Sequence, residues 1–204
     1  MFTALGLSLL LAFSYKIVDS IIRIWSKGLA RYSLYFWAVV IVILVPFFNG
    51  NYIVSSPVNI ITAMPGFLIL IAANFVLSRF SGYDPIGKFN VVNFVIIYPI
   101  IEEFVFRGLI LSELNQYLSS EVLLELMYMP VTLSVVITAF LFAISHLQYY
   151  RLSRQCVRYM SFAFIGGVFF GAIADMTQSI LLSCLLHIEF NVLAVYFGKR
   201  TRKI

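Results

Sequence analysis

Three ionisable residues lie in one apolar stretch of the chain, at Glu102, Glu103 and Arg107. Glu103 and Arg107 are four positions apart with the acid on the N-terminal side, a spacing at which a helix lets the two side chains pair. Glu102 is rotated by about 100° from Glu103 around a helix, so it is left without this partner. A carboxylate left over in this way is a candidate general base or general acid. The alternative is a buried ion pair that only joins two helices.

Both histidines of the chain also lie in apolar stretches. Phe142 and His146 are four residues apart, as are His187 and Asn191, so each pair lies on one face of its helix. Imidazole and carboxamide groups can donate hydrogen bonds to a developing oxyanion, where one donor is worth about 3 kcal/mol. Together with the glutamates, these residues predict hydrolysis by an activated water. Taken singly, His146 would be an interfacial residue, and His187 with Asn191 an interhelical hydrogen bond.

Three motifs, in this order on successive apolar segments, resemble the CAAX protease and bacteriocin-processing family of glutamic-type intramembrane proteases. Its best-known members are the Ras-converting CAAX endopeptidases of the endoplasmic reticulum and archaea. The resemblance extends over residues 89–197. The motifs are Glu102-Glu103-x-x-x-Arg107, Phe142-x-x-x-His146 and His187-x-x-x-Asn191.

The resemblance implies an intramembrane endopeptidase that forms no covalent acyl-enzyme. It also implies a role for each motif residue: Glu102 with His146 activates the water, Glu103 and Arg107 support the site and the substrate, His187 with Asn191 forms the oxyanion hole, and Phe142 packs beside His146. Glutamate and histidine can ligate zinc, but the sequence contains no HExxH string. We therefore expect no metal and no other cofactor.

The composition indicates that these residues are held in a lipid bilayer. Of the 204 residues, 62% are hydrophobic and 11% are charged, whereas soluble proteins carry about 25% charged residues. An ordinary soluble domain is excluded, and helices satisfy their own backbone hydrogen bonds in lipid. We predict an all-α, polytopic transmembrane helical bundle, with a single integral membrane domain over residues 1–204 and a catalytic core at residues 89–197.

Apolar stretches predict six to seven spans, since about 20 residues are needed to cross a bilayer. The first stretch lacks the basic region and cleavage site of a signal peptide, so we expect a retained anchor. Charged residues from Lys16 to Lys27 recur at three- and four-residue steps, which predicts an amphipathic helix at the interface. Pro99 is expected to kink the fourth span. The candidate spans cover residues 1–15, 32–48, 58–77, 89–111, 126–147, 159–174 and 180–197.

The basic residues alternate between loops as expected of a multi-pass protein. Thirteen of the fourteen Lys and Arg residues lie in every second loop or in the C-terminal tail, and cytoplasmic loops carry such an excess. We predict an outer N-terminus and a cytoplasmic C-terminus, in a prokaryotic cell membrane rather than the endoplasmic reticulum. The net charge of +5 then requires no nucleic-acid partner. The thirteen residues are Lys16, Arg23, Lys27, Arg31, Arg79, Lys88, Arg151, Arg154, Arg158, Lys199, Arg200, Arg202 and Lys203.

Three other functions compete with this interpretation. A thiol protease would use Cys184, which we expect instead to be a small core residue. A non-catalytic membrane scaffold or bacteriocin-immunity protein would keep the same fold. A transporter or proton channel would also bury Glu, His and Arg, but the sequence shows no inverted repeat.

The expected partners are the lipid bilayer and a membrane-associated peptide or protein substrate. The expected substrates are peptide-pheromone leaders, bacteriocin leaders and C-terminal membrane-sorting tails. Gly167 and Gly171 form a small-residue face that allows close helix packing, either within the fold or in a dimer. The oligomeric state is left open.

Two features do not fit the simple site. Glu189 lies about 160 to 200° around its helix from His187 and Asn191, so it should face another polar group or a water-filled cavity. His146 lies near the cytoplasmic end of its predicted span, whereas Glu102 lies about 20 Å along its own. Straight helices would keep these two residues apart.

Overall fold

The computed structural model describes residues 2–48, 50–53, 55–83 and 85–201, which form helices and one short β-hairpin. The predicted all-α, polytopic bundle is confirmed. Met1, Arg202 and Lys203, assigned to the anchor and to the basic tail, lie outside the described residues. The elements are α1 (Phe2–Ala12), α2 (Ser14–Trp25), α3 (Ser33–Leu44), α4 (Ile60–Leu77), α5 (Lys88–Val92), α6 (Tyr98–Glu103), α7 (Ser112–Asn115), β1 (Val122–Leu126), β2 (Met129–Thr132), α8 (Leu133–Ser145), α9 (Arg154–Thr177) and α10 (Leu181–Thr201).

Within the described ranges, four helical stretches are long and apolar enough to cross a membrane. They are Leu29–Phe47, Ile60–Phe80, Arg154–Thr177 and Leu181–Arg200. α1 and α2 add a fifth if they act as one span bent by 50°. Of the other two predicted spans, the one at residues 89–111 is helical with irregular turns, and the one at residues 126–147 is helical only over the short stretch Leu133–Gln148. The protein is therefore a multi-pass membrane protein.

The N-terminal helix is shorter than the predicted span. α1 has 11 residues, which is about 16 Å at 1.5 Å per residue, so it cannot cross the bilayer alone. α2 is the amphipathic helix expected from the sequence. Its buried Asp19 accepts a hydrogen bond of 2.8 Å from the Ser33 hydroxyl, which fixes α2 to the start of α3. The apolar side chains that α2 exposes include Ile21, Ile24 and Trp25.

The prediction of a helix from residue 126 is wrong, because residues 122–132 form an antiparallel hairpin. Its turn residues Met127 and Tyr128 have φ angles of 50° and 67°, as in the tight turns that join two strands. Helix α8 starts only after Thr132, whose side chain accepts the Val135 N–H at 3.4 Å as an N-cap. α8 has 13 residues and is about 20 Å long, less than the thickness of a bilayer core.

Two π-helical segments, Asn93–Ile97 and Phe104–Leu111, interrupt the helix that carries the first motif. Pro99, where we expected a kink, lies just after the first of them and cannot donate a backbone hydrogen bond. Glu102 and Glu103 lie in α6, between the two segments. Such π-turns are frequent at functional sites.

Helices α8 and α9 pack closely through the predicted glycine face. A Cβ atom added at Gly167 would lie 3.1 Å from the Ala139 Cα, and one added at Gly171 would lie 3.1 Å from the Val135 Cγ1. Both distances are shorter than an ordinary van der Waals contact. The glycines therefore serve the packing of this fold.

Separate groups of contacts mark the two ends of the bundle. Where α9 ends, Asp175 accepts hydrogen bonds from Asn115 at 2.6 Å and from the Tyr52 hydroxyl at 3.3 Å. Where α9 begins, Arg158 donates to the carbonyl of Phe80. The distribution of Lys and Arg assigned these loops to the two sides of the membrane. Loops assigned to one side therefore meet at one end of the helical bundle. Which end faces the cytoplasm stays a prediction.

Candidate active site

A buried network of polar contacts joins Glu103, Arg107 and His187. Arg107 Nη1 lies 2.8 Å from Glu103 Oε1, and both side chains are 0% exposed, so the predicted pair is present. The same oxygen lies 2.9 Å from Nδ1 of His187 on α10. Because a carboxylate can only accept, Nδ1 carries the proton of this hydrogen bond. Glu103 thus connects a guanidinium on its own helix with an imidazole on another.

Aromatic rings and a backbone carbonyl complete the enclosure of Arg107. Its guanidinium carbon lies 4.6 Å from the centre of the Phe142 ring and 5.9 Å from that of Phe170, within the range of cation–π attraction. Nη2 also donates to the Gly167 carbonyl at 3.4 Å. Phe142 therefore covers Arg107 as well as packing beside His146.

Glu102 faces the other nitrogen of His187. The distance from Glu102 Oε2 to His187 Nε2 is 3.8 Å, which is too long for a direct hydrogen bond. Since Nδ1 holds a proton towards Glu103, Nε2 of a neutral His187 is unprotonated. Nε2 can donate to a bound group only when both ring nitrogens are protonated.

His146 is oriented by its own helix. Its Nδ1 lies 3.0 Å from the carbonyl oxygen of Phe142, and because this oxygen can only accept, Nδ1 is the protonated nitrogen. Nε2 is therefore the basic atom. The Phe142 ring lies 5.3 Å from the His146 ring and 5.8 Å from the His187 ring, measured between ring centres. Phe142 thus contacts the rings of both histidines.

Asn191 lies one turn beyond His187 and connects α10 to the irregular helix. Its Nδ2 donates to the Phe94 carbonyl at 2.8 Å, and Phe94 belongs to the first π-helical segment. A carboxamide has two N–H groups, so one remains available. The π-turn therefore helps to set the position of Asn191.

The structure brings all six predicted site residues together. A cavity of about 420 Å³ is lined by four of them, Glu102, His146, His187 and Asn191. Glu103 and Arg107 are the buried pair described above. Since α8 starts at residue 133 and is short, its end does not have to reach the membrane surface. This removes the separation in depth that straight, full-length spans would impose.

Several cavity residues were not found from the sequence. Tyr98 lies four residues before Glu102, and Tyr149 lies three residues after His146; both line the cavity. Helical spacing applied on both sides of each motif would have identified them.

Glu189 was expected to face either another polar group or a water-filled cavity, and the structure shows a polar group. Asn74 on α4 donates to the Glu189 carboxylate at 3.0 Å and to the Leu186 carbonyl at 3.0 Å. A polar residue such as Asn74 inside an apolar span costs free energy unless it has a polar partner. The sequence therefore contained a signal for the contact between Asn74 and Glu189. Glu189 itself is not among the residues that line the cavity of the predicted site.

A second cavity, of about 920 Å³, adjoins the first at the end of the bundle where α9 begins. Its lining includes Arg31 and Arg151 together with several asparagine and tyrosine side chains. The wall that the two cavities share is formed by Tyr83, Phe94, Tyr98, Tyr150 and Tyr159. This larger cavity, the polar chamber, thus adjoins the cavity that contains the predicted site residues.

The remaining sequence expectations concern cysteine and metal. Cys184 packs against the hydrophobic core, as expected of a small core residue. In the part of the chain that the structure describes, no group of three or more His, Cys, Asp or Glu residues could hold a metal ion. Metal independence stays a prediction, to be tested in solution.

A model of the family described as type II CAAX prenyl endopeptidase, Rce1-like, matches residues 86–193. This range covers more than half of the 204 residues and contains all three motifs. No curated protein matches the chain, and no solved structure matches it.

Proposed function

Because this chain belongs to the Rce1-like family of type II CAAX prenyl endopeptidases, we propose that it cleaves a membrane-associated peptide or protein with a water activated by Glu102 and His146. One observation carries the proposal: Glu102, His146, His187 and Asn191 line a single cavity in a bundle of membrane-spanning helices. This family is one of endopeptidases, so the reaction is the hydrolysis of a peptide bond.

Glu102 is the general base. Its carboxylate takes a proton from water while the water oxygen attacks the carbonyl carbon of the scissile bond. His146 orients this water through Nε2, the nitrogen that does not bind the Phe142 carbonyl. The proton then passes from Glu102 to the leaving nitrogen, the C–N bond breaks, and an amine and a carboxylic acid are released, the acid then losing its proton to water. No bond forms between protein and substrate.

His187 and Asn191 stabilise the oxyanion of the tetrahedral intermediate. Asn191 uses the N–H that does not bind Phe94. His187 donates from Nε2 when the ring is doubly protonated, and the Glu103 carboxylate at Nδ1 balances the charge of this imidazolium. Arg107 holds Glu103 in place. Each donor of this kind contributes about 100- to 1,000-fold to the rate.

The polar chamber receives the part of the substrate that lies outside the lipid. Arg31 and Arg151 in its lining suit a polar or acidic peptide segment, while an apolar segment of the substrate stays in the bilayer. Leaders of pheromones or bacteriocins and C-terminal sorting tails have this two-part character. The proposed location is a prokaryotic cell membrane, with the chamber and the C-terminus on the cytoplasmic side.

The test compares protein termini, by mass spectrometry of membranes and medium, between cells that carry the wild-type protein and cells that carry Glu102→Gln. Glu189→Gln is the matched control, since it makes the same change outside the cavity. We expect termini that are present with the wild type and with Glu189→Gln but absent with Glu102→Gln. His146→Ala should behave like Glu102→Gln.

Two results would contradict the proposal. Termini that persist in Glu102→Gln would show that Glu102 is not the base. Identical termini in all strains, with equal amounts of folded protein, would favour a non-catalytic scaffold or bacteriocin-immunity protein of the same fold.

A further inference from the structure

The break between α1 and α2 is bridged by a residue from a distant part of the chain. In a continuous α-helix the Lys16 N–H would bond to the Ala12 carbonyl. Here the Gln148 carboxamide stands between these groups. Lys16 N–H donates to Gln148 Oε1 at 3.0 Å, and Gln148 Nε2 donates to the Ala12 carbonyl at 2.9 Å. Lys16 N–H also donates to the Phe13 carbonyl at 3.1 Å, and Gln148 adds two hydrogen bonds that join both sides of the break to a distant part of the chain.

Gln148 ends the short 3-10 turn that begins at His146. The hydrogen bond from His146 Nδ1 to the Phe142 carbonyl orients the ring relative to α8. It does not hold the end of α8 relative to Glu102. Helix ends fray because their last carbonyls lack partners within the helix, so the turn that carries His146 needs a contact with another element.

Aromatic packing joins the same two regions. The Tyr15 ring, beside the break, lies 4.8 Å from the Tyr149 ring and 6.5 Å from the Tyr98 ring, measured between centres. Tyr149 follows Gln148 directly, and Tyr98 lies one turn before Glu102. The break therefore contacts the segments that carry both partners of the water.

We infer that Gln148 is a positioning residue of the active site: its carboxamide fastens the turn that carries His146 to the break between α1 and α2. This inference rests on the proposed function. It also assigns a role to the N-terminal helices, which lie outside the residues matched by the family model. In this arrangement α1 and α2 hold His146 at its working distance from Glu102.

The test uses the two histidines of the chain as probes. The full-length protein, labelled with ¹⁵N-histidine and held in detergent micelles, gives one imidazole signal set for His146 and one for His187, assigned with His146→Gln. We expect Gln148→Ala to broaden or split the His146 signals and to leave those of His187 unchanged. The cleaved termini should fall by about 10- to 100-fold, as expected when a catalytic group is displaced.

Two controls separate positioning from general loosening. Leu147→Ala truncates an exposed neighbour in the same turn, and Asn115→Ala removes hydrogen bonds to Tyr52 and Asp175 at the other end of the bundle. Neither should broaden the His146 signals. Gln148→Glu keeps the acceptor for Lys16 N–H, so the broadening of its His146 signals should be intermediate between the wild type and Gln148→Ala. If the alanine variant does not fold, Gln148→Glu is the variant that tests the inference.

Unchanged His146 signals in Gln148→Ala, or equal broadening in either control, would overturn the inference. The magnetic resonance result does not require catalysis. If Glu102→Gln abolishes cleavage but His146 does not respond to Gln148, only the positioning role fails. If His146 responds but no termini depend on Glu102, only the proposed function fails.

Discussion

His187 binds Glu103 through Nδ1 at 2.9 Å, across the contact between α6 and α10. This bond distinguishes two glutamates that are adjacent in the sequence. Glu103 is held by Arg107 and His187 and has no exposed surface, whereas Glu102 faces the cavity. The contacts thus separate a buried, paired carboxylate at Glu103 from the cavity-facing carboxylate at Glu102, which is the proposed base.

Loss of Arg107 should destabilise the protein, because Glu103 would remain as an unpaired buried charge. Breaking a buried pair in this way costs about 3 to 5 kcal/mol. We expect Arg107→Met to lower the Tm in detergent and to abolish cleavage, and the added change Glu103→Gln to restore much of the stability without restoring cleavage. An unchanged Tm in Arg107→Met would rule out a stabilising pair.

The control for this change is Arg23→Met. Arg23 also pairs with an acid four residues away, Asp19 at 2.7 Å, but its side chain is 61% exposed. Water and salt screen the exposed Arg23 guanidinium, and the buried Asp19 carboxylate keeps its hydrogen bond from the Ser33 hydroxyl. The Tm of Arg23→Met should therefore fall by less than that of Arg107→Met.

Gly167→Ala should separate α8 from α9 and disturb Arg107. The new Cβ would meet Ala139 at 3.1 Å and Arg107 Nη2 at 3.5 Å, and overpacking of this kind costs about 1 to 3 kcal/mol. Gly166→Ala is the matched control, since its Cβ would meet only the Phe170 ring, at 3.8 Å. Thermal unfolding of the two variants, and of Gly167→Ala with Ala139→Gly as the rescue, tests the packing. Equal stability of the two single variants would refute it.

Asn191→Ala should reduce kcat by about 100- to 1,000-fold if Asn191 supplies an oxyanion donor. KM should change much less, because this donor acts mainly in the transition state. The measurement is steady-state cleavage of a peptide that spans the termini identified above. Asn115→Ala, which also removes hydrogen bonds between elements, should leave kcat nearly unchanged. A rise in KM alone would assign Asn191 to substrate binding.

Metal chelation should leave cleavage unchanged, because the proposed base is a carboxylate acting on water without a metal. The test treats the purified protein with EDTA and with 1,10-phenanthroline and follows cleavage of the same peptide. Loss of activity that returns with added Zn²⁺ would contradict the prediction and would make Glu102 and His146 candidate ligands.

Residue types and local spacing were sufficient to predict much of this protein. The low charge content requires a bilayer, and the bilayer requires helices, so the class of fold follows from composition. The pairing of Glu103 with Arg107 follows from a separation of four residues, because helix geometry sets that distance whatever surrounds it. The sequence also predicted six polar residues that the fold brings close together, since polar and ionisable groups in apolar helices are costly and rarely lack a purpose; their catalytic roles stay a prediction.

Tertiary packing decided the rest. An apolar run such as residues 122–132 suits either a helix or a strand, and in the folded chain it forms a hairpin. The hairpin shortens α8, and His146 at the end of this short helix lies at the cavity. The contact of His187 with Glu103 and the bridge made by Gln148 join residues 84 and 132 or more positions apart. Periodicity describes one helix at a time. The register between helices depends on the fit of all their side chains, so these contacts could be established only from the folded chain.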